Sequence, residues 1–94
     1  LSLDVLSPAT GASGRGPIAV VARAVSATKA PKDLSVWARV GTGAYVALVL
    51  RDDGTFQGSL PIGAAASGTT LPVTVVTTDY VTAVERTAGY RVVR

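Results

Sequence analysis

The chain has 94 residues, enough for one domain and too few for two hydrophobic cores. It contains no His, Cys, Met or Asn, which excludes an ordinary zinc or copper site, a His-based nucleophilic triad and a disulfide framework. Nine basic residues stand against six acidic ones, a net charge of +3. The basic residues (Arg15, Arg23, Lys29, Lys32, Arg39, Arg51, Arg86, Arg91 and Arg94) are scattered, without the clustered stripe of a nucleic-acid or membrane surface. No nucleic-acid partner and no cofactor are expected. The longest apolar run, Tyr45 to Leu50, is far short of the roughly 20 residues that span a bilayer, so the chain is not expected to be transmembrane. It opens on Leu1 with no signal-peptide pattern, as a mature or excised segment of a larger protein would.

The 48% hydrophobic fraction is mostly Val and Ala, and β-branched residues suit a pleated, half-buried surface. Turn residues divide the chain at regular intervals. The first strand is predicted over Ser2–Leu6, followed by a loop from Ser7 to Pro17. The second covers Ile18–Val25 and ends before the turn Lys29-Ala30-Pro31-Lys32-Asp33. The third, Leu34–Val40, meets Gly41-Thr42-Gly43, and the fourth is Ala44–Arg51. Asp52-Asp53-Gly54 then marks a hairpin, because Asp-Gly tolerates the positive φ of a tight turn. The fifth strand is Thr55–Pro61. The Ala-rich stretch Gly63 to Gly68 is too short, and too Gly-bounded, for a helix. Leu71–Thr78 and Val81–Val93 complete the set, the last with a bulge or kink at Ala88-Gly89. Seven short strands with turns between them predict an all-β, seven-stranded antiparallel sandwich of the immunoglobulin-like or fibronectin-III-like kind, one domain over residues 1–94.

Successive side chains on a strand point to opposite faces, so the pattern assigns a core. Ile18, Val20, Ala22 and Ala24 face inward, opposite Arg23. Leu34, Val36, Ala38 and Val40 do likewise, which turns Ser35, Trp37 and Arg39 outward. Leu71, Val73, Val75 and Thr77 form a third inward set, and Phe56, the one Phe, is the largest core residue. Small side chains remove little area from water, so stability near the low end, roughly 5 kcal/mol, is expected. The fourth strand is apolar on both faces: it is buried on both sides, or its outer face meets a partner.

Three strings carry a family resemblance. Leu3-Asp4-Val5-Leu6-Ser7-Pro8-Ala9-Thr10-Gly11 resembles the opening strand and loop of bacterial Ig-like domains. Arg51-Asp52-Asp53-Gly54-Thr55-Phe56-Gln57-Gly58-Ser59-Leu60-Pro61-Ile62 is similar to their "dGtF…vpL" hairpin, and Leu71-Pro72-Val73-Thr74-Val75-Val76-Thr77-Thr78-Asp79 to their "itVtAtD" strand. These strings are similar to those of the Ig-like domain that accompanies the catalytic domain of glucodextranase. The resemblance implies a non-catalytic accessory module of a secreted or cell-surface bacterial protein, which spaces, orients or stabilises neighbouring domains. The chain departs from the pattern in two loops. Gly63 to Thr70 is longer than the family's Gly-Asn turn, and the turn after the "itVtAtD" strand is reduced to Asp79-Tyr80.

Candidate sites follow from the residues left outside the core. An outward Trp37 beside Arg39 is suited to stack on a sugar ring or anchor a protein, and otherwise packs under a loop or against the last strand. With Tyr45 these form the candidate binding set for carbohydrate or cell wall. Tyr45, Tyr80 and Tyr90 on a Ser/Thr-rich surface are further adhesive candidates, with ordinary strand residues as the favoured alternative. Asp52, Asp53 and Asp79 lack the alternating spacing of a calcium loop and read as turn residues. Asp4, Asp33, Asp52, Asp53, Asp79 and Glu85 supply no pair in a context of burial, so no glycosidase site and no enzymatic role are expected. A third reading gives the two-sided apolar strand Tyr45–Leu50 a role in self-association.

Overall fold

The computed structural model describes residues 1–9 and 11–94; Thr10, inside the predicted first loop and the first of the resembling strings, lies outside the described residues. The described residues form nine strands: β1 (Ser2–Ser7), β2 (Ala12–Gly14), β3 (Ile18–Val25), β4 (Ser35–Val40), β5 (Val46–Ala47), β6 (Val49–Leu50), β7 (Phe56–Leu60), β8 (Thr70–Thr78) and β9 (Ala83–Val92). A single 3-10 turn, Pro31–Asp33, precedes β4. The strands make two sheets, β1-β3-β7-β6 and β2-β9-β8-β4-β5, with a common core between them, an all-β arrangement compatible with a sandwich.

The inward sets are as the alternation predicts. Ile18, Val20, Ala22 and Ala24 from the first sheet meet Val36, Ala38, Val73 and Val75 from the second, all buried, with Phe56 and Leu60 beside them. Val40 and Leu71, at strand ends, are only half-buried against this cluster. Thr77 is fully buried and its hydroxyl donates to the Ser35 carbonyl at 3.1 Å, which satisfies the one polar group on its side chain.

The count of seven strands and the purely antiparallel pairing are not what is observed. Ala12–Gly14, predicted as loop, pairs in parallel with β9, Ala12 opposite Tyr90 and Gly14 opposite Val92. Three residues between glycines show no alternation, so nothing local marks this strand. Ala44–Arg51 is not one strand either. Val46 and Ala47 pair with Ala38 and Trp37 in one sheet, and Val49 and Leu50 pair with Gln57 and Phe56 in the other. Leu48 lies at the crossing: its N–H donates to the Val36 carbonyl at 2.9 Å and its side chain is buried. The two-sided apolar pattern thus belongs to a segment that changes sheets.

The expected bulge at Ala88-Gly89 is also absent, since β8 and β9 pair without interruption from Thr70–Arg91 to Thr78–Ala83. Gly89 sits opposite Pro72, and a Cβ there would come within 3.3 Å of the Thr70 methyl. The position is crowded by a neighbouring side chain rather than kinked. The Asp52-Asp53-Gly54 hairpin is a three-residue loop: Gly54 N–H donates to the Arg51 carbonyl, Arg51 N–H to the Thr55 carbonyl, and Gly54 takes φ +84°.

Candidate functional site

Register builds the candidate site on the outer face of the five-stranded sheet. Trp37 on β4 lies opposite Ala47 on β5 and Val76 on β8, and Val76 lies opposite Glu85 on β9. Directly opposed residues share a face, and Trp37 alternates with buried Val36 and Ala38, so this row points away from the core. Tyr45, just before β5, lies beside this row, next to Arg39. Trp37, Tyr45, Val76 and Glu85 line a groove of about 380 Å³. Trp37 is half-buried in it, as an outward residue in a partly covered position would be.

The three sequence-predicted residues come together. The Arg39 guanidinium carbon lies 4.7 Å from the centre of the Tyr45 ring, within the range of a cation–π contact. Arg39 Nε is buried and meets no acceptor among the described residues. The guanidinium is therefore held by the ring rather than by a carboxylate. Thr74 and Thr87, which follow Arg39 across the sheet, bring their hydroxyls to 3.5 Å. Of the other adhesive candidates, Tyr90 does not reach the surface: it is 8% exposed and its hydroxyl accepts the Gly16 N–H at 3.2 Å. Opposite Ala12 and Leu71, it shares their inward parity.

A second concavity, about 570 Å³, lies where the β3–β4 connection meets the β8–β9 turn; Lys29, Lys32, Asp33, Ser35 and Tyr80 are among its lining residues. Tyr80 holds a left-handed backbone (φ +71°) that non-glycine residues seldom adopt. The local hydrogen bonds over-determine it. Tyr80 N–H donates to the Thr78 hydroxyl at 2.9 Å, and the Asp79 carboxylate accepts from Val81 N–H at 2.9 Å and Thr82 N–H at 2.7 Å. The Tyr80 hydroxyl is hydrogen-bonded to Ser35 Oγ, and Lys29 Nζ stands 5.6 Å from the ring centre. Sequence reasoning marked both loops but not their meeting, which follows from the pairing of β4 with β8.

Asp53 and Asp79 are turn acceptors. The Thr82 and Val81 amides hold the Asp79 carboxyl below the usual carboxylate range, and the Thr55 hydroxyl and amide do the same for Asp53. Among the described residues no three acidic side chains gather closely enough to hold a metal ion. A carboxyl group whose folded pKa is depressed stabilises the fold above its ordinary pKa of about 4 and loses that contribution as pH falls through the folded value. The denaturant midpoint is thus expected to fall between pH 5 and acid below about pH 3, and Asp79→Ala to flatten that dependence. Equal midpoints at both pH values would contradict it.

No family model matches the chain, and neither a curated protein nor a solved structure does. No helix among the described residues is long and apolar enough to cross a membrane.

Proposed function

We propose that the chain is a non-catalytic Ig-like accessory module of a secreted or cell-surface bacterial protein, which spaces and orients neighbouring domains. The observation that carries this reading is polar geometry. β1 starts with Ser2 opposite Val25, at one end of β3, whereas Val93 N–H donates to the Gly14 carbonyl near the other end. The two ends of the described chain therefore leave from opposite poles of a body measuring 43 × 24 × 19 Å.

The strand order supports the Ig-like part. Taking β1 with β2 as one sheet-changing segment, and β5 with β6 as another, reduces nine strands to seven segments. The first, second, fifth and fourth then share one sheet and the third, sixth and seventh the other, the order of an immunoglobulin sandwich. Fused between two fluorescent reporter domains, the module should hold them at one narrow separation. Energy transfer matching that of a flexible Gly/Ser linker of equal length would overturn the spacing role.

A second reading is favoured by the groove itself: a carbohydrate- or cell-wall-binding module. Trp37 and Tyr45 share a groove on the outer sheet face, and amphipathic rings of this kind give contact area at low entropic cost.

A further inference from the structure

We propose that the Trp37–Tyr45 groove takes uncharged or amino-bearing pyranose chains in preference to anionic ones, with Glu85 setting that preference. The inference rests on the carbohydrate reading of the groove. Trp37, Tyr45 and Val76 supply apolar surface, and the charged side chain lining the groove is Glu85. An ionised carboxylate only accepts hydrogen bonds, so it suits the O–H or N–H donors of a sugar. It meets a ligand carboxylate or sulfate as a like charge, which an interface excludes strongly.

Neither Arg39 nor Arg86 is among the residues that line the groove. Arg39 lies against the Tyr45 ring. Arg86 is opposite Val75, on the parity that faces away from Glu85, and its Nη1 donates to the Glu85 backbone carbonyl at 2.9 Å. The row from Ala47 to Glu85 crosses four strands, a span of roughly 14 Å at the usual strand spacing, which fits a short oligosaccharide better than a single sugar.

Calorimetric titration with chitotetraose, its deacetylated counterpart and tetragalacturonate tests the proposal. The first two are expected to bind, and tetragalacturonate to bind at least about tenfold more weakly. Trp37→Ala should weaken chitotetraose binding at least about tenfold, with an unchanged circular-dichroism spectrum. Glu85→Gln should strengthen tetragalacturonate binding until it lies within about threefold of chitotetraose. Equal or tighter binding of tetragalacturonate by the unaltered protein, or a preference that survives Glu85→Gln, overturns the role of Glu85 and leaves the carbohydrate reading standing. Absence of binding to all three overturns both.

Discussion

Phe56→Ala is expected to cost about 3–5 kcal/mol and leave a protein that is barely folded at physiological temperature. Phe56 is 3% exposed, and it sits opposite Ala22 on one side and Leu50 on the other. Much of the core cluster it belongs to is small: Val20, Ala22, Val36, Ala38 and Val75 contribute little volume with which to close the hole. The cavity term is therefore large, and a small Val/Ala core starts from the low end of the roughly 5–15 kcal/mol range. Guanidinium titration followed by circular dichroism reads the loss directly. Val81→Ala, at a position 84% exposed, is the control and should move stability by no more than about 0.5 kcal/mol. A loss below about 1 kcal/mol for Phe56→Ala would mean that this side chain is not in the core.

Leu48→Ala should be nearly as damaging, about 2–5 kcal/mol. Leu48 is the buried residue at which the chain passes from one sheet to the other, and it packs directly over Gly58. A Cβ on Gly58 would lie 2.6 Å from Leu48 Cδ2. Gly58→Ala alone is accordingly expected to destabilise by about 1–3 kcal/mol through overpacking. The two changes share one space, so they should not add. The double variant Leu48→Ala/Gly58→Ala is expected to be more stable than the sum of the single losses predicts, by about 1 kcal/mol in a double-mutant cycle. Strict additivity would mean that Leu48 points elsewhere and that the crossing segment is placed differently.

Much of the interior was legible because one face of each long strand is uninterrupted. Ile18 through Val25 alternates throughout, and Leu71 through Thr78 does so apart from Thr74, which is buried on the opposite parity; the bounds and inward sets of both are close to those observed. Where the pattern gave no alternation, the reading failed. Ala12–Gly14 is held by its parallel partner in β9, which is distant in sequence. Tyr45 to Leu50 shows an apolar run whether it is one doubly buried strand or a crossing between two sheets, and only long-range pairing separates the two. Ala88-Gly89 has the composition of a bulge, but the register with Pro72 and Val73 is continuous.

The candidate site divides in the same way. That Trp37 and Arg39 share the outer face follows from parity on one strand. That Tyr45 joins them, with its ring against Arg39, depends on the turn after β4, and the presence of Glu85 depends on pairing through β8. Tyr90 misled because its type is common on adhesive surfaces, whereas its partner across the sheet, Leu71, already shared the inward set.

The most direct test of the whole account is the distance between the two poles. The chain has no Cys, so Ser2→Cys and Val93→Cys place two spin labels without background. β3 separates these positions along eight residues, and the two sheets separate them across the layer, which together give about 30 Å. Pulsed electron resonance should return one narrow distribution centred near that value. A distribution centred below about 20 Å would place both ends at the same pole and contradict the two-sheet arrangement and the spacing role together.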